Sequence, residues 1–314
     1  HEKTPAGDEG TVELKRLQVG KPRYCNLGEK VRMAVLPPSC EGMRGADGYL
    51  VTESGLQAIL AGGLCWADDL VPMGCLFEDE ARLGIAINNQ QRAVEDKMLY
   101  QTRHIRPKPD VWVETDVKGL SDDDHADSGI VRLGGEGRAA NWSVVVDRNR
   151  LTGIDTGSVS VDEAKGIMLV LLTPADWCPE EVVSDKDYIP IPGFKPEKSS
   201  HPDCLGETVW KGKLSGIALT LHCAVVGKPV REGGWDLVNN KPRAVRSLIP
   251  AGSVFYLTVD DGGAEGIKRA LEALHLEQIP GRNGCDAEHA LGRGLVAAGV
   301  WPVDECESVK ADKE

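Results

Sequence analysis

Arg82-Leu-Gly-Ile-Ala-Ile-Asn88 alternates, with Leu83, Ile85 and Ile87 on one face of an extended chain. Polar residues follow over Asn88–Arg92, and Met98–Ile105 reads as the partner strand. Two such runs, joined by residues that cannot pack a core, make a hairpin with a long tip. The same period recurs outward from it. Val111, Val113, Thr115 and Val117 share one face of a strand over Val111–Val117, and Asn141–Val146 is another. Gly166–Leu172 is a short continuous apolar run, the pattern of a buried strand. Leu214–Val226 supplies one strand or a bent pair, and Gly252–Val259 and Leu295–Trp301 close the set.

Only two segments carry helical period. Val51–Gly62 has Thr52 to cap it, Glu53 in its first turn and an apolar stripe at Leu56, Ile59 and Leu60. Ala264–Leu276 places Ile267, Ala270, Leu271 and Leu274 at i, i+3, i+4 and i+7. Strands outnumber helices, so the fold class is α+β with mostly antiparallel sheets. A length of 314 residues suits two domains. Leu151–Asp162 reads as the linker, which gives domains of 1–150 and 151–314. Pro179–Glu207, rich in Pro, Ser and charge, reads as an insertion in the second.

Composition narrows the function classes. The longest apolar runs fall far short of the ~20 residues a membrane helix needs, so no membrane partner is expected. No signal peptide opens the chain, and the start at His1 reads as a truncation. Nine cysteines without a CxxC pair fit reduced thiols in the cytoplasm. His201-x-x-Cys204 and Cys285-x-x-x-His289 together offer two thiolates and two imidazoles for a four-ligand zinc site, with two unrelated loops as the alternative. No cofactor motif is present, because neither a strand–GxGxxG–helix nor a GxxxxGK[ST] pattern occurs.

A net charge of −13 is awkward for a lone nucleic-acid binder. The charge is uneven, however. Tyr100–Lys108 holds Arg103, His104, Arg106 and Lys108 without an acid, while Asp110–Asp127 holds seven acids against Lys118. Lys241, Arg243 and Arg246 form a second basic stretch. Acidic outer faces can therefore coexist with a basic strip that binds. Leu133-Gly-Gly-Glu-Gly-Arg138 contains Gly135, Gly137 and Arg138, and Gly292-Arg293-Gly294 is a similar turn. Such glycines let backbone N–H groups approach a phosphate, though a tight turn between strands uses the same residues. Among flat side chains, Trp112, Trp235 and Tyr256 are stacking candidates, with core packing as the alternative for Trp235 and Tyr256. His104 with Tyr100 four residues earlier is the best acid–base pair, and an RNA-contacting or exposed histidine is the alternative. Asp122–Asp124 offers carboxylates for a divalent ion or a solvated loop.

Taken in order, these segments resemble a known family. Leu291-Gly292-Arg293-Gly294-Leu295 followed by Gly299 is similar to the glycine-rich loop of the RAMP superfamily of CRISPR proteins. Glu80–Ile87 followed by Arg92–Tyr100 resembles that family's strand–hairpin–strand block. Gly48–Ser54, Leu133–Arg138, Gly233–Asp236 and Ile249–Val254 occur in the order of one branch, the third subunit of the type III-B (Cmr) effector complex. The resemblance covers residues 30–150 and 228–301; residues 151–227 match poorly. The family's first strand and helix, which precede the region of Lys30, have no counterpart in this chain.

The resemblance implies two tandem ferredoxin-like (RRM-like) domains, the first lacking its N-terminal part. It implies a non-catalytic subunit that holds the 5′ repeat-derived tag of crRNA. Its partners would be the large polymerase/cyclase-domain subunit and the backbone RAMP subunits of the effector filament. A metal-independent crRNA-processing endoribonuclease of the same superfamily is the alternative. On this reading the hairpin projects as a thumb: Arg92 and Lys97 meet phosphates, and Met98 and Tyr100 lie against bases.

Overall fold

Antiparallel strands and two α-helices build the computed structural model, which describes residues 15–25, 29–37, 45–88, 90–117, 119, 121, 126–133, 138–145, 161–177, 191–236, 238–281 and 289–303. Among these, β1 (Gln18–Val19) pairs with β4 (Ala34–Val35), and β2 (Arg23–Tyr24) pairs with β3 (Lys30–Val31) inside it. β5 (Tyr49–Val51) pairs with β6 (Leu70–Pro72), and α1 (Glu53–Leu60) lies between them in the chain. The long hairpin is β7 (Phe77–Asn88) with β8 (Ala93–Pro107), followed by the ribbon of β9 (Ser128–Arg132) and β10 (Ala139–Ser143).

Next come β11 (Ala164–Leu171), β12 (Lys195–Lys198), β13 (Thr208–Leu214) and β14 (Ile217–Val225). Two small ribbons follow, β15 (Val230–Glu232) with β18 (Arg246–Leu248) and β16 (Trp235–Asp236) with β17 (Lys241–Pro242). β19 (Val254–Val259), α2 (Gly263–Leu274), β20 (Glu277–Gln278) and β21 (Leu295–Pro302) end the order. The chain forms two compact units: His1–Gly45, Thr52–Asp69 and Gly153–Glu314 in one, Ala46–Val51 and Leu70–Thr152 in the other.

The larger unit is organised by a seven-stranded sheet in the order β12-β13-β14-β19-β11-β21-β20, every pair antiparallel. Alternation sends Ile167, Leu169, Leu171, Phe255, Leu257, Val296 and Val300 to one face. There they meet Ile267, Ala270, Leu271 and Leu274, the stripe of α2. Each large side chain so buried contributes about 1.5–3 kcal/mol. The opposite face carries Met168, Tyr256, Gly299 and Trp301, and α1 lies on it. A Cβ on Gly299 would stand 2.7 Å from the Leu60 backbone, so only glycine admits the helix at this depth. The Tyr256 ring meets Trp301 edge-on at 5.4 Å and points its hydroxyl at the Leu17 carbonyl. Tyr256 is thus a core residue rather than a stacking platform.

α1 begins where Thr52 accepts from the Gly55 N–H at 3.1 Å, the cap expected of that residue. Asp69 in turn accepts from Thr52 and Ser54, and these bonds hold its carboxyl below the usual range.

The smaller unit is built differently. Among its described residues only His104 is buried. Among the described residues its hairpins show no internal apolar core, and a two-stranded hairpin is marginal alone in water.

One expectation is corrected. Val111–Val117 is not a strand, because it joins no ladder among the described residues; Trp112 and Val113 stay exposed. Alternation permits a strand but does not supply its hydrogen-bond partner. Within Pro179–Glu207, β12 pairs with β13 at the sheet edge. Gly129–Arg132 is part of a strand, β9. Residues 151–160 and 178–190 lie outside the described residues.

Candidate nucleic-acid interface

Strand alternation divides the basic stretch of β8 between two faces. Arg103 pairs across from Ala81 and shares its face with Leu83, Ile85, Leu99 and Ile105. These four aliphatics are all exposed, Leu83 by 72%. His104 and Arg106 point the other way, opposite Glu80 and Glu78. The stretch that lacks acids in sequence therefore meets them in space.

Glu80 bridges two cations on that second face, bonding Arg82 at 2.9 Å and Arg106 at 2.8 Å. The hydrogen bonds from Arg82 and then Arg106 pull its carboxyl down to about 2. Lys108 stands 3.8 Å from Glu78. Arg103 has no ion pair among the described residues, and neither does Arg92, exposed at the tip with a left-handed φ of 48°. Between Ile85↔Leu99 and Ile87↔Val94 the register shifts, setting residues 95–98 of β8 against the single Ala86. This bulge holds Lys97 and Met98, and Tyr100 pairs with Gly84 just beyond it. The side chains of Lys97, Met98 and Tyr100 lie outside the described ones.

His104 is not an open base. It is 6% exposed, with Nε2 2.9 Å from the Thr102 hydroxyl, and the Arg138 guanidinium lies against its ring nitrogens. Arg138 is thereby committed inside the unit. Gly135 and Gly137 lie outside the described residues, as do Asp122–Asp124.

The larger unit brings together a second group. Trp235, half exposed, pairs with Pro242 on the β16–β17 ribbon, and Asp236 pairs with Lys241. Asp236 closes the turn by accepting from the N–H groups of Val238 and Asn239 and from the Asn239 amide. Lys241 and Arg243 are exposed and carry no ion pair among the described residues. Arg246 is separated from them by its bond to Asp176 at 3.0 Å.

The glycine loop after α2 is bonded inward. Gly292 N–H donates to His289 O at 3.0 Å and Gly294 N–H to Pro174 O at 3.2 Å. Thr173 donates to Gly292 O and accepts from Leu295 N–H. Arg293 pairs with Glu232. Both glycines have left-handed φ, 70° and 75°, so the turn itself demands them.

His222 lies in the β14 bulge beside Thr258 Oγ1 at 2.9 Å. Burial, then the nearby Arg32 charge, pushes its pKa down to about 4. His201 is exposed and Cys204 is buried against Ser199 Oγ, while Cys285 lies outside the described residues. No group of three metal-ligating side chains occurs among the described residues. Pattern reading passed over residues 21–30, where Lys21, Arg23, Tyr24 and Lys30 form a further basic ribbon. The available signal was compositional: three cations and a tyrosine in ten residues, against the lone acid Glu29.

A family model described as CRISPR-associated protein (Cas_Cmr3) matches residues 5–301. No curated protein matches the chain. The solved chains that resemble it include two from cryo-EM structures of a type III-B Cmr-beta complex bound to cognate target RNA, one also with AMPPnP. The first shares 18% identity at a TM-score of 0.34, covering 66% of this chain and 57% of its own. The second shares 18% at 0.34, covering 68% and 60%. The chain thus spans less than two thirds of the length of either.

Proposed function

From the premise that this chain belongs to the Cas_Cmr3 family of CRISPR-associated proteins, we propose that it is a non-catalytic, RNA-holding subunit of a type III-B effector complex. The family match over residues 5–301 carries the reading. In that role the chain holds the 5′ repeat-derived tag of crRNA and docks the large polymerase/cyclase-domain subunit beside the backbone RAMP subunits.

Geometry supports it in three places. The β7–β8 hairpin presents an aliphatic face with Arg103, which has no ion pair among the described residues, suited to wedging between bases while meeting a phosphate. The β16–β17 ribbon sets Trp235 beside Lys241 and Arg243, which have no ion pair among the described residues. The burial of His104 under Arg138 removes the histidine an endoribonuclease would use, which favours holding over cutting. The order β14-β19-β11-β21, with α2 between β19 and β21 in the chain, supports a ferredoxin-like second domain.

The test incubates the purified chain with repeat-derived RNA in EDTA. Binding without cleavage is the expected result. A footprint of about four phosphates gives a log–log salt slope near ~3, at ~0.7 per phosphate. Site-specific cutting lost in His104→Ala would establish the enzyme instead.

A further inference from the structure

We propose that the β2–β3 ribbon is a stacking subsite for single-stranded RNA, separate from the hairpin, with Tyr24 as its platform and Lys21, Arg23 and Lys30 as its phosphate contacts. The proposal rests on the RNA-holding reading above and adds a site to it.

Tyr24 is 78% exposed although it sits in an ordered ribbon. A single exposed ring is ordinary; its surroundings are not. Lys30 is its direct cross-strand partner, so the ammonium shares the ring's face. Arg23 precedes Tyr24 on β2 and faces the other side, opposite Val31, with Lys21 two residues earlier. None of the three cations has an ion pair among the described residues, in a chain whose net charge is −13.

The acid within the ribbon is turned away. Glu29 binds Lys198 and accepts from the Thr208 hydroxyl at 2.6 Å, both on the edge of the large sheet. Arg32 is likewise spent on Glu207 at 2.7 Å. These contacts clamp the ribbon while Lys21, Arg23 and Tyr24 stay exposed and Lys30 is half-buried. An exposed ring with one cation on its own face and two more on the ribbon's other side is what a base and its flanking phosphates require. An acidic protein would use the cations but would leave the ring without a role.

Fluorescence anisotropy of a fluorescein-labelled oligouridylate, titrated at low salt with the full chain, tests this. Tyr24→Ala should weaken binding roughly 5- to 150-fold, the range for losing one stacked base. Tyr24→Phe keeps the ring and should retain wild-type affinity. Lys21→Ala with Arg23→Ala should lower the salt slope by about 1.4, at ~0.7 per phosphate. Wild-type binding left unchanged by Tyr24→Ala overturns the ribbon and leaves the RNA-holding reading standing. A wild-type chain that binds no RNA overturns both. If the charge variants instead lose a polyglutamate probe while RNA affinity stays intact, the ribbon is a protein contact and the proposal falls.

Discussion

Arg32 forks onto Glu207, Nε to Oε2 at 2.7 Å and Nη2 to Oε1 at 3.2 Å, and the Glu207 side chain is only 3% exposed. A carboxylate so placed is tolerable only while paired. Arg32→Ala should therefore destabilise the protein by about 3 kcal/mol, the lower end for a broken buried pair because Arg32 is itself 25% exposed. Arg32→Lys keeps the charge and loses the fork, and should cost less. Urea midpoints read both; an unchanged midpoint in Arg32→Ala would show that the pair holds nothing.

His222 gives the larger unit an acid sensitivity. Its folded pKa of about 4 lies below the ordinary 6.5, so between those values the unfolded chain takes up a proton the folded one refuses. Its contribution is complete above pH ~6.5 and is lost as pH falls towards ~4, amounting to about 3 kcal/mol at 1.36 kcal/mol per unit. Arg32, Glu207, Asp260 and His201 share its field. His222→Gln keeps a partner for Thr258 without titrating. Denaturation curves at several pH values should show a flatter loss over this window in the variant, and an identical slope would assign the sensitivity elsewhere.

The Gly292–Gly294 loop should behave as structure first. A Cβ on Gly294 would stand 2.4 Å from Ile279 O, at a φ of 75° that side chains resist. Gly294→Ala should cost about 1–3 kcal/mol. Thermal melting checks it. A variant with wild-type stability but weakened RNA binding would move the loop from scaffold to contact.

Where local pattern sufficed, the fold was legible. Thr52 and the stripe of Leu56, Ile59 and Leu60 mark α1, and the i, i+3, i+4, i+7 spacing marks α2. Alternation at Leu83, Ile85 and Ile87 marks β7. What alternation cannot encode is the partner. Val111–Val117 has the period but joins no strand pair among the described residues, whereas Lys195–Lys198, polar and proline-bearing, becomes a strand because the β13 edge is there to pair with it. For the candidate site, residue types could be read from the sequence and their pairing could not. Arg106, Lys108 and Arg293 read as unopposed cations, yet each meets a glutamate from a distant or facing strand.

That pairing separates Arg103 from Arg106, which a linear reading joins. Arg103→Glu should weaken RNA binding and lower the salt slope by about 0.7, one phosphate contact. Arg106→Glu removes a cation already neutralised by Glu80 and should change the slope less. Titrations of both variants across salt concentration compare them directly. Equal slopes for the two would dissolve the distinction between the faces.

The central claim is that this chain holds RNA within a multi-protein CRISPR effector. The most direct measurement is affinity purification of the tagged full chain from its own cells, with sequencing of the RNA and mass spectrometry of the proteins that accompany it. The account predicts crRNA with an intact 5′ repeat-derived tag, together with a large polymerase/cyclase-domain subunit and backbone RAMP subunits. Recovery of the chain alone, or with proteins but without crRNA, would contradict it.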